Sequence, residues 1–350
     1  MRKIFFSFVA AGIALTASAQ QTDKQMATLQ SGDRTTVFYG VDALKQAYLA
    51  APDTLGVITL SAGDFSAPAS LSKSVAIYGV GFERDEATGT NRTCVKGNIE
   101  LKPVDTVNED GYTVYGGKQP NGVHLEGLYV DGDVRLGNNH DVPICNLTIA
   151  KCHADRLYHQ ANSKDVVIRQ SHIGNIFCSL NVGYIAQNML VSNCHLGYID
   201  GLTLSSTIVV DHSILRDESL NMDHEFEAYT YTNSVLYKTP QTGYIAYNCV
   251  FVASGTPRQD ENGNWYGVQN AGLWAAEGED GTYAEDKDFA LKYPNRYMGN
   301  DGTQVGLHGG TYAWNKIPVL PRITECTIDT SDVPNGTLKV SIKAEAQTKE

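Results

Sequence analysis

The chain has 350 residues and a formal net charge of -12 at neutral pH. No cluster of Lys and Arg stands out against this acidic background, and nucleic acids and anionic membranes both require a positive footprint. Nucleic acid is therefore excluded as an expected partner. An acidic polysaccharide is disfavoured at long range unless a cation bridges it.

The first 19 residues have the pattern of a secretory signal peptide. Arg2 and Lys3 form a charged start, an apolar run follows from Ile4 to about Thr16, and residues 17–19 (ASA) form a small-residue cleavage site. Cleavage would remove two positive charges and take the net charge to -14. No later segment reaches the roughly 18 apolar residues of a membrane span. We expect an exported protein, periplasmic, at the cell surface or secreted, without a transmembrane segment.

Residues 20–39 are predicted to be an N-terminal segment without fixed structure, and residues 40–350 a single domain. The domain opens with "GVDALKQAYLAAPD", which predicts an amphipathic helix. Asp42 is expected to cap the start of this helix, and Pro52 to end it. The apolar face of the helix contains Leu44, Ala47, Tyr48 and Ala51. Such a helix would cover the first, otherwise open, strands of a repeat protein.

A short segment recurs seven times in the domain. Each copy has an apolar residue, a polar corner, a small Cys or Ser, and a second apolar residue. The copies are "IAKCHA", "IRQSHI", "VSNCHL", "VDHSIL", "YTNSVL", "AYNCVF" and "ITECTI", with the small residue at Cys152, Ser171, Cys194, Ser213, Ser234, Cys249 and Cys326. This alternation predicts two short strands that meet at a bend, with the small residue inward.

The first six copies are about 20 residues apart, with no helix-length segments between them. This spacing leaves no room for helical crossovers and predicts an all-β solenoid of parallel strands. The polar corners Gln170, Asn193, Asn233 and Asn248 are expected to stack as a ladder of side-chain amides. The segment "GTLKVSIKAEA" alternates like a closing strand.

The segments "ALKQAYLAAPDTLGVITLSAGDF" and "KSVAIYGVG", together with the "VSNC" repeats, resemble right-handed parallel β-helix proteins of the pectate-lyase-like superfamily. The segment "NDGTQVGLHGG" followed by "IPVLPRI" is similar to a C-terminal element of exported bacterial β-helix proteins. The resemblance implies a right-handed parallel β-helix with an N-terminal helical cap. It implies little about function, because this fold carries lyases, hydrolases, esterases and adhesins.

Alternation places His153, His172 and His195 in one outward column, followed by Ile214, Val235 and Val250. The histidines are expected to face solvent. Three exposed apolar residues would require a cover. Cys249 and Cys326 are 77 positions apart, and the stretch between them contains an aromatic-rich insertion, at about 253–322. This insertion is expected to fold back over the apolar positions and leave a groove beside His195.

The predicted groove collects candidates for binding and for chemistry. Ligand-binding candidates are His153, His172, His195, His212 and Arg216, and catalytic candidates are Asp211, Asp217, Glu218 and Arg169. Two carboxyl groups about 5–9.5 Å apart would suit a glycoside hydrolase. A polysaccharide lyase of this superfamily would use a basic residue and calcium, and Arg169 is the only basic residue in the outward columns of these repeats.

Metal and thiol sites receive less support. Three parallel histidine side chains do not naturally form a tetrahedral zinc site. Asp131, Asp133 and Asp141 offer oxygen ligands for Ca²⁺, although the same segment is also an ordinary turn. The cysteines of the repeat are expected to be inert core residues. A disulfide between Cys249 and Cys326 is an alternative if the insertion returns to the next repeat.

Two functions remain open. The first is a non-catalytic, exported carbohydrate-binding or cell-surface protein without a resident cofactor, and the second is a polysaccharide lyase or glycoside hydrolase, with Ca²⁺ as an alternative cofactor. The absence of a complete catalytic set in the sequence favours the first.

Overall fold

The structure, a computed structural model, describes residues 25–84, 91–137, 142–178, 183–203, 205–216, 229–237, 244–285, 287–318, 322–329 and 339–345. Within these ranges the chain is all-β, with two long sheets in which most neighbouring strands are parallel. This arrangement is compatible with the predicted solenoid.

The first sheet has 12 strands in the described part of the chain. They are β1 (Met26–Ser31), β2 (Arg34–Tyr39), β3 (Gly56–Leu60), β5 (Val75–Tyr78), β10 (His124–Glu126), β13 (Ile144–Cys145), β14 (Thr148–Ala150), β16 (Ser163–Arg169), β18 (Ala186–Ser192), β20 (Ile208–Asp211), β22 (Tyr229–Thr232) and β24 (Tyr244–Tyr247). Only the pairs that involve β1 are antiparallel; the others are parallel.

The second sheet has 13 described strands. They are β4 (Gly63–Ser66), β6 (Thr93–Lys96), β7 (Ile99–Leu101), β11 (Tyr129–Asp131), β12 (Asp133–Leu136), β15 (His153–His159), β17 (His172–Cys178), β19 (His195–Asp200), β21 (Ile214–Leu215), β23 (Val235–Leu236), β25 (Val250–Val252), β26 (Arg258–Gln259) and β27 (Trp265–Val268). β26 pairs with β27 in antiparallel fashion. Two hairpins stand outside both sheets, β8 (Val104–Val107) with β9 (Thr113–Lys118) and β28 (Arg322–Asp329) with β29 (Lys339–Glu345).

Along the repeats, successive strands alternate between the two sheets. The chain passes from β18 in the first sheet to β19 in the second, and then to β20 and β21 in the same order. Each such pair of strands is called a rung below. Because neighbouring rungs pair in register, one sequence position recurs as a column of side chains along the sheet.

The small residues of the repeat form an inward column, as predicted. Cys152, Cys194 and Cys249 are buried, as are the serines that alternate with them. The column also joins the rungs, because the backbone N–H of Cys194 donates to Ser213 Oγ at 3.1 Å. A serine at this position fills the core and also accepts a hydrogen bond from a backbone N–H of the neighbouring bend that strand pairing leaves unbonded.

The N-terminal end of the sheets carries the predicted helix, α1 (Ala43–Ala50), which buries the predicted apolar face. Asp42 precedes the helix but makes no capping hydrogen bond; its carboxylate pairs with Lys45 Nζ at 3.1 Å instead.

The prediction for residues 20–39 was wrong for 26–39, which form the hairpin of β1 and β2. Alternating apolar residues of β1 pack into the core, and this burial orders the segment.

The seventh copy of the repeat does not extend the parallel sheets. β28, which contains Cys326, pairs in antiparallel fashion with β29, so neither is the predicted closing strand. After Cys249 the next inward residue is Asn264, whose Oδ1 accepts a hydrogen bond from the Cys249 backbone N–H at 2.9 Å. Cys249 is a free thiol, and the alternative disulfide with Cys326 is wrong.

Candidate functional site

The predicted outward column of histidines is confirmed in its register. On the second sheet, the outer column contains Tyr129, His153, His172, His195, Ile214, Val235, Val250 and Trp265 on successive rungs. Trp265 therefore belongs to the sheet. The part of the insertion that folds back begins at residue 269, later than the sequence indicated.

Residues 269–318, called the cover below, fold back over the outer column. They contain the short helix α2 (Asn270–Leu273) and a 3₁₀ turn (Pro294–Arg296). The cover forms a second hydrophobic core with the sheet, in which Ile214, Val235 and Val250 are 0% exposed. The prediction that the insertion shields these three residues is confirmed.

The cover also shields the histidines, so the prediction that they face solvent was wrong. The ring of Tyr283 stacks on His172, with centroids 3.7 Å apart and planes at 6°. His195 is buried, and its Nε2 lies 2.7 Å from the carbonyl oxygen of Gly281. The cover therefore occupies the space where a groove beside His195 was expected.

Burial changes the protonation of these imidazoles. Desolvation, helped by Arg92 near His153, lowers the pKa of His153 to about 4, and burial lowers that of His195 to about 4. Desolvation and the two neighbouring imidazoles lower the pKa of His172 to about 2. The column is thus neutral at physiological pH. Within the described residues, no group of three or more His, Cys, Asp or Glu side chains is placed to hold a metal ion.

Residues 299–318 of the cover, called the strap below, run along the bend between the two sheets. The bend residues have left-handed backbone and are the polar corners of the repeat: Lys151, Gln170, Asn193, His212, Asn233 and Asn248. Asn193 Nδ2 donates to the carbonyl oxygens of Leu307 and Gly309 at 2.9 and 2.8 Å, and Gln170 Nε2 donates to that of Ala313 at 2.6 Å. The predicted amide ladder is wrong for Gln170, Asn193 and Asn233, because their amides bind the strap.

The strap runs antiparallel to the order of the rungs. Asn233 bonds Asn300 near its start, and the Lys151 ammonium donates to the carbonyl oxygen of Ile317 near its end. Pro318 then packs against Gly127, where a side chain would collide with the proline. The strap thus leads the chain back toward the earlier rungs and away from β24, which explains why β28 does not form the next rung.

His212 anchors the middle of the strap. Its Nδ1 lies 2.8 Å from Asp211 Oδ2, and its Nε2 lies 3.1 Å from Thr303 Oγ1. Carboxylate, imidazole and hydroxyl follow the order of a hydrolytic triad. However, the ring is buried beneath Gly309 and Gly310, and the Thr303 hydroxyl donates to Asp301 at 2.9 Å. These contacts suit an anchor for the strap.

Asp211 is held ionised by its neighbours. Burial opposes ionisation, but hydrogen bonds from His212 and Thr232 outweigh it and keep the pKa of Asp211 below its usual range. Thr232 Oγ1 and Asn233 Nδ2 donate to its Oδ1 at 2.7 and 2.9 Å. A carboxylate with this many donors is a poor general acid.

The remaining predicted groove residues are divided between the sheets. Arg216 follows the second sheet, with its guanidinium 4.5 Å from the ring centre of Tyr237 and 3.7 Å from Asp280 of the cover. Asp211 and Arg169 lie on the first sheet. Asp217 and Glu218 lie outside the described residues. The strap, bonded to the bend, separates the two groups.

The weak calcium candidates are engaged elsewhere. Asp133 is 3% exposed and accepts hydrogen bonds from both Arg156 and Arg135. Asp131 pairs with Lys96 Nζ at 3.0 Å, and Asp141 lies outside the described residues. A cation at Asp133 would have to displace two guanidinium groups, so this residue does not fit a calcium ligand.

The outward face of the first sheet is called the open face below because several of its side chains are exposed, although Glu126, Ala150 and Ser192 on it are buried. Two columns form it. The first contains Tyr78, Glu126, Ala150, Arg169, Ser192, Asp211, Thr232 and Tyr247, and the second contains Ala76, His124, Thr148, Val167, Leu190, Val209, Thr230 and Ile245. Leu190, Ile245 and Tyr247 are 39%, 46% and 44% exposed. The strap borders this face and places Tyr312 beside Arg169, 5.3 Å from ring centre to guanidinium.

Sequence comparison among the repeats missed several residues of this face. Glu126 is buried and its carboxylate lies 3.0 Å from His124 Nε2. Desolvation lowers the pKa of the neighbouring Lys151 to about 8. The segment "HLEGLYVD" precedes the first repeat and carries the same alternation, with Gly127 at the bend. Extending the repeat backward would have placed Glu126 in the column of Arg169.

Two shallow depressions, of about 540 and 400 Å³, flank the loop at residues 275–280 of the cover. Glu279 lines both depressions and Asp280 lines the larger one, and both carboxylates bind Lys287 Nζ, at 2.9 and 3.3 Å. Since these carboxylates already have a cationic partner, the depressions are weaker candidates than the open face.

No described helix is long and apolar enough to cross a membrane. Comparison of the chain with protein-family models, curated proteins and solved structures finds no match. The candidate site therefore rests on the geometry of the open face alone.

Proposed function

We propose that this chain is an exported, non-catalytic carbohydrate-binding protein with a right-handed parallel β-helix fold, and that a glycan chain lies along the open face. The observation that carries the proposal is the exposed second column of the first sheet. The cover occupies the competing surface at the histidines, whereas Leu190, Val209 and Ile245 stay exposed beside polar neighbours.

The dimensions of the open face suit an extended polymer. From Tyr78 to Tyr247 the first column crosses eight strands, about 34 Å at the usual strand spacing. A surface of this length without an enclosed cavity does not match a small-molecule pocket. Because each rung repeats the same geometry, it offers equivalent positions to the successive units of a polysaccharide.

The two columns also supply complementary contacts. The apolar column can cover the carbon-rich faces of sugar rings, as aliphatic and aromatic side chains do in ligand sites. In the polar column, Arg169 offers donors to hydroxyl groups, whereas Ser192 is buried and bonded to Asn193, and Asp211 is bonded to His212, Thr232 and Asn233. Tyr312 on the strap forms a side wall.

Binding without catalysis is supported by the state of the carboxylates. Asp211 accepts three hydrogen bonds and Glu126 is buried against His124. One observation favours a polysaccharide lyase as the second candidate, since Lys151, with its pKa near 8, could act as a base beside Arg169. Its ammonium group, however, donates to a strap carbonyl.

A glycan panel with titration calorimetry tests the proposal. We expect wild-type protein to bind at least one polysaccharide, and Val209→Glu to weaken that binding because it places a charge in the apolar column. Tyr293→Ala, which removes an exposed ring from the cover, is the matched control and should bind like wild type. Absence of binding across the panel would refute the proposed function, and unsaturated products absorbing in the ultraviolet would replace it with lyase activity.

The exported location is part of the proposal and has its own test. Expression with the native leader and N-terminal sequencing of the purified protein should show a mature chain beginning at Gln20. A chain that retains residues 1–19 would contradict export through a cleaved signal peptide.

A further inference from the structure

We propose that Arg169 and Tyr312 form a subsite for an anionic substituent of the bound glycan, either a carboxylate or a sulfate ester. The inference rests on the proposed function and adds the chemical class of the ligand.

The first observation is that Arg169 has no acidic partner in the described part of the chain. Other partly buried arginines have one: Arg92 pairs with Glu285 at 2.8 Å, and Arg135 pairs with Asp133 at 3.1 Å. Arg169 is partly buried and makes no ion pair and no side-chain hydrogen bond, and its Nε is a buried donor without an acceptor. Such a donor loses its hydration without compensation, so it is normally explained by a ligand or an ordered water.

The surroundings of Arg169 leave room for a ligand. Its neighbours in the first column are Ala150 and Ser192, two of the smallest side chains, so no large side chain lies beside the guanidinium within this column. The ring of Tyr312 lies 5.3 Å from the guanidinium carbon and restrains its position. A restrained planar fork of N–H donors matches a carboxylate or sulfate and loses little entropy on binding.

The local charge favours an anion although the chain as a whole is acidic. Lys151 lies within electrostatic range, because the charge of Arg169 contributes to the lowered pKa of Lys151 after desolvation. Asp211 and Glu126, the nearest acidic residues along the column, are each two strands away, about 9.6 Å. Asp211 is already bonded to His212 and Thr232, and Glu126 lies 3.0 Å from His124 Nε2. At physiological salt, distant negative charges are screened over about 8 Å, so the adjacent cations dominate at the subsite.

Matched pairs of glycans test this inference. Calorimetry would compare a uronic-acid polysaccharide with its carboxyl-reduced neutral form, and a sulfated galactan with its desulfated form. We expect one anionic member to bind roughly 10- to 100-fold more tightly than its neutral counterpart, the range expected for hydrogen bonds to a charged group. The pair that shows the difference identifies the substituent.

Variants assign the preference to the subsite. Arg169→Gln should abolish the ratio between anionic and neutral forms while it keeps the affinity for the neutral form. Arg169→Lys should keep only part of the ratio because it retains charge without the planar fork. Unchanged far-UV circular dichroism and melting temperature would show that the variants fold.

Three results separate the two proposals. A neutral glycan that binds wild type as tightly as its anionic counterpart would overturn the subsite and leave the proposed function standing. An anionic preference that survives in Arg169→Gln would also overturn it, because another residue would then supply the charge. Absence of binding to all four polysaccharides and to the wider panel would overturn the proposed function itself.

Discussion

His172 of the second sheet and Tyr283 of the cover stack face to face, with ring centroids 3.7 Å apart and planes at 6°. This contact joins the middle of the histidine column to a segment far along the chain. The Tyr283 hydroxyl also donates to Glu83, which pairs with Lys316 Nζ at 2.6 Å. The cover is therefore attached both to the sheet and to the early rungs, and it closes the surface that the sequence pattern favoured as a binding groove.

Truncation of Tyr283 should loosen the cover. Tyr283→Ala removes the ring that packs on His172, and we expect a loss of about 3 kcal/mol in the free energy of unfolding. Tyr283→Phe keeps the ring and loses only the hydrogen bond to Glu83, with an expected cost of about 1 kcal/mol. Denaturant titration measures both values. Equal losses for the two variants would show that the stacked ring does not stabilise the cover.

Asn193 should be a sensitive position of the strap. Asn193→Asp replaces an amide donor with a carboxylate that faces the carbonyl oxygens of Leu307 and Gly309. We expect a loss of about 2–3 kcal/mol in the free energy of unfolding. Asn248→Asp is the matched control, because Asn248 has the same left-handed backbone at the bend and no side-chain hydrogen bond to the strap. Similar costs at the two positions would argue against the strap contact.

The buried imidazoles should make the protein less stable in acid. The pKa of His153 and His195 is about 4 in the folded chain, and that of His172 is about 2, against an ordinary value near 6.5. The unfolded chain therefore binds more protons in this range, and acid favours unfolding. The free energy of unfolding should be constant above about pH 6.5. Below that it should fall toward pH 4, by about 1.4 kcal/mol per pH unit for each imidazole.

Unfolding titrations between pH 4.5 and 7.5 measure this dependence. His172→Phe keeps a flat ring beneath Tyr283 but removes one titrating group, so its stability should depend less steeply on pH. His159→Phe is a control. It removes another imidazole whose pKa is lowered to about 4, but this imidazole lies away from the cover. It should reduce the slope while hydrogen exchange in residues 275–291 stays unchanged. A wild-type stability that is constant down to pH 4.5 would contradict the buried, neutral column.

The core cysteines should resist alkylation. Burial raises the pKa of Cys152, Cys194 and Cys249 to about 12, so almost no thiolate is present at pH 8. In a Cys326→Ser background, iodoacetamide should label the partly exposed Cys145 first. Mass spectrometry of peptides before and after unfolding provides the measurement. Rapid native labelling of Cys194 would contradict its inward position.

The repeat could be predicted because its signal is local. Small residues at Cys152, Ser171 and Cys194 recur with apolar neighbours on both sides, and this alternation determines which side chains point inward. The register of the histidine column followed from the same pattern. The covered state of Ile214 and Val235 could be inferred as well, because exposed apolar columns are unfavourable.

The position of the cover could not be predicted. Residues 269–318 have no periodicity of their own, and their placement depends on contacts such as that between Asn193 and Gly309, which join distant parts of the chain. Polar corners in left-handed backbone suggested a ladder because the sequence does not show what accepts their hydrogen bonds. The burial of His172 and the open state of Leu190 both follow from where the cover lies.

The central claim is that the open face of the first sheet, and not the histidine column, receives the glycan. A crystal structure of the protein soaked with an oligosaccharide from the panel tests this claim most directly. We predict sugar rings against Leu190, Val209 and Ile245, with Tyr312 at their side and the cover still stacked on His172. Sugar density beside His172 and His195, with residues 281–283 displaced, would contradict it.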